Sequence, residues 1–504
     1  MSKGADTPIR YSPRSPESTP CYTIIQHHLA MFLADRAAEG RPLPKYVIDE
    51  FEAFLRCGIH AHGFLRVRCA SCGEEMIVAF ACRKRGFCPS CAAKRKAETA
   101  AHLVDNVLPL VPYRQFVVSF PIPLRYWIHT NKRLFARVHD IVIKEIHQHY
   151  CETAVGQGIP DPAPGTISFT QRWGSAANLN PHLHILTTDG VYQRWEGKPR
   201  FRNLPDITDA NVAGILESIS RRVVAYLRRK GYLDQDGEVV ENPDADAMFK
   251  EHDSIAQATA CSIAGKIAFG PNAGKCVTRI GSGFGYGEEV PLVKGRLCAS
   301  MNGFSLHAAT KTNTHARDRL AGLIEYIARG PLSNERLEVT PDGNVKLRLK
   351  SKWSDGTTHL RFTPSEFLEK LAALIPPPRA HLVRWAGVFA PNSSYRKDIT
   401  LKPHIKKGFQ FIEDGSDPKL VKNHSWSKML ARVFKVDVTK CVNCGGEMAI
   451  VAAVTERRAI TRYLEHVGIA AHAPPRGPPR TGDESRQGEF DFVVSSHPST
   501  TAAI

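Results

Sequence analysis

The chain has 504 residues and a formal charge of +17, a length sufficient for two to four domains. No apolar run approaches the roughly 18 residues of a membrane span, and the first twenty residues lack the apolar stretch of a secretory signal. We therefore expect a cytoplasmic protein whose partner is a polyanion, nucleic acid above all. In that compartment the thirteen cysteines indicate metal binding rather than disulfides.

The start of the chain is predicted to be helical after a short disordered segment. Residues 1–20 are rich in Pro, Ser and Thr, which is typical of disorder. From about Thr23 to Leu55 apolar residues recur at helical spacing, and a cysteine-rich segment then spans Cys57 to Cys91.

Two Cys-x-x-Cys pairs in this segment predict a structural zinc site. Cys69 and Cys72 are followed, after fifteen residues, by Cys88 and Cys91, which is a common spacing of four-cysteine zinc sites. Zinc would stabilise a segment that is too short and polar to build its own core. Other side chains of the segment are alternative or additional ligands, although a single one is more often a packed residue: Cys57, Cys82, His60 and His62.

Basic residues flank the second cysteine pair. They would contact DNA phosphates, or form only a solvated charged face. They are Arg83, Lys84, Arg85, Lys94, Arg95 and Lys96.

A strand, a helix and an antiparallel hairpin are predicted next, from "RQFVVSFPIPLRYW", "NKRLFARVHDIVIKEIHQHY", and "GTISFTQRW" with "PHLHILTTDGVY". His182 and His184 lie two residues apart on the last strand and would project from one face. They are either ordinary half-buried residues or ligands of a divalent ion. Gln171 and His307 are the candidates for a third ligand.

The remaining pattern is mostly helical. A helix is predicted from Asp206 or Asp209 to about Arg229, whereas residues 234–297 give no clear pattern. Further elements are a helix within Arg317–Pro331, a hairpin around Ser354-Asp355-Gly356 and a helix over Glu366–Leu374. Cys441 and Cys444 form an isolated pair, either half of a degenerate zinc ribbon or two free thiols.

Tyr326 is the candidate nucleophile. It lies at the edge of a helical apolar stripe, beside Arg319 and Arg329 and one turn after Gly322, although an amphipathic boundary tyrosine has the same pattern. A phenol with a pKa of about 10 is a weak nucleophile. A metal on the two histidines would polarise a phosphate for its attack. Attack would join Tyr326 to a 5′ phosphate and release a 3′ hydroxyl.

Several blocks of this sequence resemble the bacterial insertion-sequence transposases of the HUH class, which carry an N-terminal zinc-binding domain. The similar blocks run in the expected order from about residue 25 to 470: "RCASCGEEMIVAFACRKRGFCPSCAAKR", "TQRWGSAANLNPHLHILTTDGVY", "LIEYIARGPLSNERL" and "PPPRAHLVRWAGVFAPN". The HUH name denotes His, a bulky apolar residue and His, here His182-Leu183-His184.

The resemblance implies an α+β fold, in which a ferredoxin-like antiparallel sheet carries the HUH strand near its centre and follows an N-terminal helical zinc-binding module. It also implies Tyr326 as catalytic residue on a helix below the sheet, Mg²⁺ or Mn²⁺ as catalytic metal and structural Zn²⁺. The reaction would be rolling-circle transposition on single-stranded DNA ends and targets, in the bacterial cytoplasm at the nucleoid.

The chain departs from part of this family at Gly322, where some members carry a second tyrosine. It resembles in this respect the single-tyrosine branch associated with common-region elements. Either Tyr326 is regenerated and reused, or a second subunit of a homodimer assists.

The alternatives in function are a plasmid rolling-circle initiator or relaxase, and a zinc-dependent DNA-binding regulator without activity. The expected domains are a disordered N-terminus (1–20), a zinc-binding DNA-contacting domain (21–110), an HUH nuclease domain (111–335), its C-terminal part (336–415), a small Cys-x-x-Cys module (416–470) and a disordered tail (471–504).

Overall fold

The computed structural model describes residues 14–234, 247–280, 295–401 and 440–478. The helices of these residues are α1 (Pro20–Ala38), α2 (Lys45–Arg56), α3 (Pro89–His102), α4 (Ile122–Thr130), α5 (Lys132–Gly156), α6 (Asp209–Arg229), α7 (Ala247–Glu251), α8 (Asp253–Ile263), α9 (Arg317–Ile327), α10 (Pro364–Leu374), α11 (Arg396–Ile399) and α12 (Arg457–His466). None of them is long and apolar enough to cross a bilayer.

The strands are β1 (Phe64–Cys69), β2 (Glu75–Ala79), β3 (Tyr113–Ser119), β4 (Gly165–Trp173), β5 (Leu179–Thr188), β6 (Gly190–Trp195), β7 (Lys198–Asn203), β8 (Thr278–Ile280), β9 (Cys298–Met301), β10 (Phe304–Thr312), β11 (Leu337–Val339), β12 (Val345–Arg348), β13 (His359–Phe362), β14 (Val383–Gly387) and β15 (Met448–Val454). All their pairings are antiparallel. The fold is thus α+β, as predicted.

The largest sheet has six strands in the order β14-β4-β5-β3-β10-β9. One face packs on α4, α5 and α6 through Leu183 and Ile185, which are completely buried. The other face packs on α9 through Phe169 and Leu186. Burial of each such apolar side chain stabilises the fold by roughly 1.5–3 kcal/mol.

Local sequence signals account for several of these elements. The predicted β4–β5 hairpin is confirmed, and so is the β12–β13 hairpin that turns near Gly356, whose φ is +90°. Helix α6 begins after Thr208, whose hydroxyl accepts a hydrogen bond from the Asn211 N–H in a capping box. The stretch that gave no clear pattern contributes α7, α8 and β8.

The N-terminal module contains a three-stranded sheet in the order β15-β1-β2. Strand β15 comes from near the other end of the chain, so the expectation of a separate small module over residues 416–470 needs correction. Residues 440–466 complete the N-terminal sheet instead, because β15 pairs with β1 along its length. Residues 416–439 lie outside the described part.

Parts of the two segments that the sequence predicted to be disordered are structured, namely residues 14–20 and 471–478. Pro16–Ser18 form a short 3-10 helix that leads into α1, and residues 471–478 run beside α1 and α2. There Gly477 N–H donates to the Gln26 carbonyl at 3.1 Å, and Arg476 pairs with Glu52 at 2.6 Å. The rest of the two predicted disordered segments, residues 1–13 and 479–504, lies outside the described residues.

Candidate active site

His182 and His184 lie on β5, a central strand of the six-stranded sheet, and face α9. Their opposite neighbours Leu183 and Ile185 enter the core beneath α5 and α6 because successive side chains of a strand alternate between faces. The two imidazole rings have their centroids 5.0 Å apart. The sheet therefore brings the two rings together on the side where Tyr326 lies.

The hydrogen bond of the His182 ring to the backbone leaves a lone pair on its other nitrogen, Nε2. Its Nδ1–H donates to the Asn180 carbonyl at 2.7 Å, so in the neutral ring Nε2 is the acceptor. Burial lowers the pKa of His182, and the charges of Arg329 and Arg125 act in the same direction. The ring is therefore neutral at physiological pH.

His184 is buried, and its Nδ1 lies 2.6 Å from the side-chain amide nitrogen of Gln115. Turning the Gln115 amide by 180° about its last side-chain bond places its oxygen, a hydrogen-bond acceptor, opposite Nδ1. His184 can then donate from Nδ1–H to Gln115 and keep a lone pair on its Nε2. Among the described residues this Nε2 has no hydrogen-bond partner. Burial, followed by competition with the neighbouring His182 ring for a proton and by the charges of Arg329 and Lys350, lowers the pKa of His184 to about 3.

Gln171 lies directly opposite His182 in the β4–β5 pairing. Its amide N–H donates to the carbonyl oxygen of Ile327, the last residue of α9, at 2.7 Å. The amide oxygen is buried and, within the described part of the chain, has no partner. Gln171 thus offers an oxygen ligand on the histidine face.

His307 lies farther from the pair. It is opposite Val117, which is itself opposite His184, so two strand spacings, about 10 Å, separate the backbones. In the described ranges, only two sets of cysteines bring the ligand atoms of three or more His, Cys, Asp or Glu residues within 4.8 Å. His307 therefore does not converge with His182 and His184.

Tyr326 is 53% exposed, and its ring meets that of His184 edge to face, at 6.3 Å between centroids and 87° between planes. The Arg329 guanidinium lies 4.0 Å from the centre of the Tyr326 ring, and Lys350 Nζ lies 5.7 Å from it. Burial and the charges of Arg329 and Arg336 lower the pKa of Lys350 to about 8. The phenol is thus accessible, adjacent to the histidines and surrounded by positive charge.

One four-cysteine cluster lies inside the N-terminal module, at the end of α2, after β2 and at the start of α3. Neighbouring sulfurs in it are 3.3 to 3.7 Å apart, close to the roughly 3.8 Å expected around a tetrahedral zinc with 2.3 Å bonds. The members are Cys57, Cys82, Cys88 and Cys91.

The predicted grouping of Cys69 and Cys72 with Cys88 and Cys91 is therefore wrong. Cys69 and Cys72 flank the turn between β1 and β2, whereas the other pair starts α3. The six residues of β1 span about 20 Å, which keeps the turn away from the α3 cluster. Cys57 and Cys82 complete the site with Cys88 and Cys91 instead. They lie just before β1 and just after β2, at the end of the β1–β2 hairpin away from its turn.

Two models of known protein families match parts of the chain. Residues 24–120, which contain the α3 cysteine cluster, match the family model "Transposase zinc-binding domain". Residues 165–397, which contain both histidines, Gln171 and Tyr326, match the family model "Putative transposase". No curated protein and no solved structure matches the chain.

The chain belongs to the insertion-sequence transposases that carry an N-terminal zinc-binding domain. The transposase is accordingly a DNA-processing enzyme and a DNA-binding protein. The cysteine clusters and the zinc-binding family match together support structural zinc.

The basic side chains predicted to contact DNA are divided between protein contacts and solvent. Arg83 and Arg319 are exposed, and Arg329 lies on Tyr326. Lys84 is half-buried. The side chains of the remaining four have partners within the transposase: Arg85 with the Ala380 carbonyl (2.8 Å), Arg95 with the Lys84 carbonyl, Lys94 with Glu98 (3.8 Å) and Lys96 with Glu325 (3.6 Å).

Sequence reasoning missed Gln115, Arg125, Arg336 and Lys350. Gln115 was detectable in principle, because it is a polar residue at the start of a strand that the sequence predicts to be buried. The three basic residues carried no such signal. They come from separate parts of the chain, and only the fold brings Arg125 near His182, Lys350 near His184 and Arg336 near Lys350.

Proposed function

We propose that the transposase is an HUH-class nuclease in which Tyr326 cleaves single-stranded DNA at transposon ends. The observation that carries the proposal is the edge-to-face contact between Tyr326 and His184, whose Nε2 is without a partner among the described residues. A nucleophile and a metal-binding nitrogen at one spot are what metal-assisted phosphodiester cleavage requires.

The metal ligands in this proposal are Nε2 of His182, Nε2 of His184 and Oε1 of Gln171. Burial keeps both rings neutral, and a neutral imidazole is the ligand form. The buried oxygen of Gln171 gains the partner that it lacks in the described structure. When bound, Mg²⁺ or Mn²⁺ would polarise the scissile phosphate and stabilise its developing charge.

The residues around Tyr326 would hold the DNA for in-line attack. Arg329 and Lys350 place positive charge beside the phenol, where a phosphate must sit. The bond between the Tyr326 oxygen and phosphorus forms as the bond to the 3′ oxygen breaks, and the phenol proton passes through solvent to the leaving 3′ oxygen. The phosphodiester energy is kept in the 5′-phosphotyrosine, so strands can be rejoined by a rolling-circle route without ATP.

The sheet topology supports a ferredoxin-like nuclease core. Four strands of the large sheet, taken in chain order β3, β4, β5 and β10, lie in the spatial order β10-β3-β5-β4. Helix α5 connects β3 to β4, and α6 lies between β5 and β10 in the chain. This is the split βαβ order of ferredoxin-like folds, with the histidine strand inside the sheet.

We propose the domain limits expected from the sequence, a zinc-binding domain over residues 21–110 and a nuclease domain over 111–335 continued by 336–415. One modification applies, since residues 440–478 belong with the N-terminal module. The single-tyrosine assignment also stays a proposal. Position 322 is a glycine, and an added Cβ there meets nothing within 4 Å, so the helix face one turn before Tyr326 is open among the described residues. Tyr326 would then be reused, or a second subunit of a homodimer would supply another tyrosine.

The test is formation of a covalent tyrosyl–DNA adduct. We expect the full-length protein with Mn²⁺ and labelled single-stranded oligonucleotides from the element ends to give an adduct that survives SDS. Tyr326→Phe, His182→Ala and His184→Ala should abolish it. Mass spectrometry should find a 5′ phosphate on the Tyr326 peptide.

Tyr226→Phe is the matched control. Tyr226 also lies on a helix, and Arg229, three residues later, lies 5.8 Å from its ring centre, as Arg329 lies over Tyr326. Helix α6 is on the opposite face of the sheet, so this variant should retain the adduct. An adduct that persists in Tyr326→Phe, or DNA binding without any adduct, would contradict the proposed chemistry and favour a non-catalytic regulator.

A further inference from the structure

Four more sulfurs converge where residues 440–478 join the N-terminal module. Cys69 Sγ lies 3.5 Å from Cys444 Sγ, and Cys72 Sγ lies 3.6 Å from Cys441 Sγ. All four sulfurs lie within 4.8 Å of one another. A disulfide requires about 2.05 Å between sulfurs, whereas a tetrahedral zinc with 2.3 Å bonds separates them by about 3.8 Å. The spacing therefore fits a shared metal ion.

The two cysteine pairs are built in the same way. Each reads Cys-x-x-Cys-Gly, and the glycines, Gly73 and Gly445, have φ values of +76° and +72°. In each turn the glycine N–H donates to the carbonyl of the first cysteine, at 3.1 Å for Cys69 and 2.9 Å for Cys441. Such left-handed glycines close a tight turn that points both sulfurs the same way. Free thiols would need no such matched pair of turns.

The strands around the cluster place the two turns against each other. Cys69 is paired with Met448 in the β1–β15 ladder, and the Ala70 N–H donates to the Glu447 carbonyl at 3.1 Å. A Cβ on Gly446 would lie 2.5 Å from Ser71 Oγ, so the absence of a side chain there permits the close approach. The backbone thus brings the two turns into contact, although Cys72 and Cys441 are 369 residues apart in the chain.

We propose that Cys69, Cys72, Cys441 and Cys444 bind a second structural Zn²⁺, which fastens the C-terminal segment to the N-terminal module. This site is separate from the α3 cluster, and half of its ligands lie outside the range that matches the zinc-binding domain. Its ligand set of four thiolates is typical of structural zinc, with no position left for substrate.

The small core beside the cluster explains why a metal is needed. The buried residues there are Val67, Cys69, Cys441 and Met448. Strand β15 leaves the apolar side chains of Ile450 and Val451 exposed in the described structure, so it contributes little to this core. The C-terminal segment has one further buried cluster, in which Ile460 and Leu464 pack on Phe64 and Ile77, away from the cysteine turns. Zinc binding stabilises small modules directly, and here it would hold the turns that these contacts do not reach. Removing the ion should release β15 from β1.

The zinc content of purified full-length protein tests the proposal. We expect two zinc ions per chain in the parent and one in Cys441→Ser/Cys444→Ser. Combining that pair with Cys69→Ser/Cys72→Ser should remove no further ion, because all four ligands share it, whereas adding Cys57→Ser/Cys82→Ser should remove the second. Cys276→Ser, at an exposed cysteine outside both clusters, should keep two. A Cys441→Ser/Cys444→Ser variant with unchanged zinc would refute the proposal.

Thiol alkylation of the unmodified chain gives a second readout that does not depend on the folding of variants. Cys72, Cys444 and Cys276 are all exposed, so free thiols at these positions should react with iodoacetamide at similar rates. We expect Cys72 and Cys444 to react at least tenfold more slowly than Cys276 in zinc-loaded protein under reducing conditions. A zinc chelator should abolish that difference. Equal rates in the zinc-loaded protein would overturn the proposal.

Discussion

The amide of Gln171 donates a hydrogen bond to the Ile327 carbonyl at 2.7 Å, one residue after Tyr326. Strand β4 thereby holds the end of the tyrosine helix, while the oxygen of the same amide stays on the histidine face. One side chain therefore connects the position of the candidate nucleophile to the proposed metal site.

Substitutions of Gln171 should separate these two roles. Gln171→Ala removes both, and the buried carbonyl of Ile327 loses its donor at a cost of about 1–3 kcal/mol. Gln171→Glu keeps an oxygen ligand but loses the N–H, so it should bind Mn²⁺ at least as well as the parent and unfold at lower temperature. Calorimetric Mn²⁺ titration and thermal unfolding measure the two effects. Parent-like melting of both variants would show that the contact is not structural.

Gln115 should control metal affinity through the Nδ1 of His184. Gln115→Leu removes the amide that contacts Nδ1 and orients the ring, and loss of such a partner typically weakens metal binding by about 10–100-fold. Gln115→Glu retains an acceptor and should bind Mn²⁺ as well as the parent. The difference between the two variants is the diagnostic quantity. Equal Mn²⁺ affinity in both would exclude a positioning role for Gln115.

The affinity for single-stranded DNA should fall with rising pH because of Lys350. Its pKa is lowered to about 8, so above that pH it loses the positive charge that attracts phosphate. Between pH 7 and pH 9 we expect a loss of up to about tenfold at constant ionic strength. Lys350→Arg, which stays charged, should show a much smaller loss in fluorescence anisotropy titrations. The same pH slope in both proteins would rule out Lys350 as the cause.

Two glycines near Tyr326 should respond in opposite ways to alanine. A Cβ at Gly330 would lie 2.4 Å from the Cβ of Ala92 on α3, so Gly330→Ala should destabilise the protein by about 1–3 kcal/mol. Gly322 meets nothing within 4 Å, and Gly322→Ala should stabilise α9 by about 0.5–1 kcal/mol. Denaturant unfolding measures both.

Ala92→Gly supplies the control for this pair. It removes the opposing Cβ, so the Gly330→Ala/Ala92→Gly double variant should be more stable than additivity of the two changes predicts. An additive result would mean that α3 and α9 do not touch at Gly330 and Ala92.

Local pattern predicted most of the elements near the site. Alternating apolar residues located β5, and helical spacing located α9, because these periodicities depend only on backbone geometry. The same geometry predicts that His182 and His184 share one face. It contains no information on which side chains from other elements come near them, and this is why Gln115 and Lys350 were missed.

The cysteines show the same division between near and distant residues in the chain. Each Cys-x-x-Cys pair was recognisable because both ligands belong to one turn. The sequence did not show which pairs share a metal site. Closeness in the chain favoured Cys88 as a partner of Cys72, whereas the structure groups Cys72 with Cys441.

The sequence by itself determined the basic character of the protein, the histidine pair and the cysteine turns, because these follow from residue chemistry and short-range periodicity. The resemblance to a known family added the expectation of an α+β fold and the choice of Tyr326. Only the tertiary structure decided that β15 returns to β1, that Gln171 bridges β4 and α9, and that the cysteines form two clusters. Those relationships join residues far apart in the chain, and their geometry is set by strand pairing and core packing that no local pattern specifies.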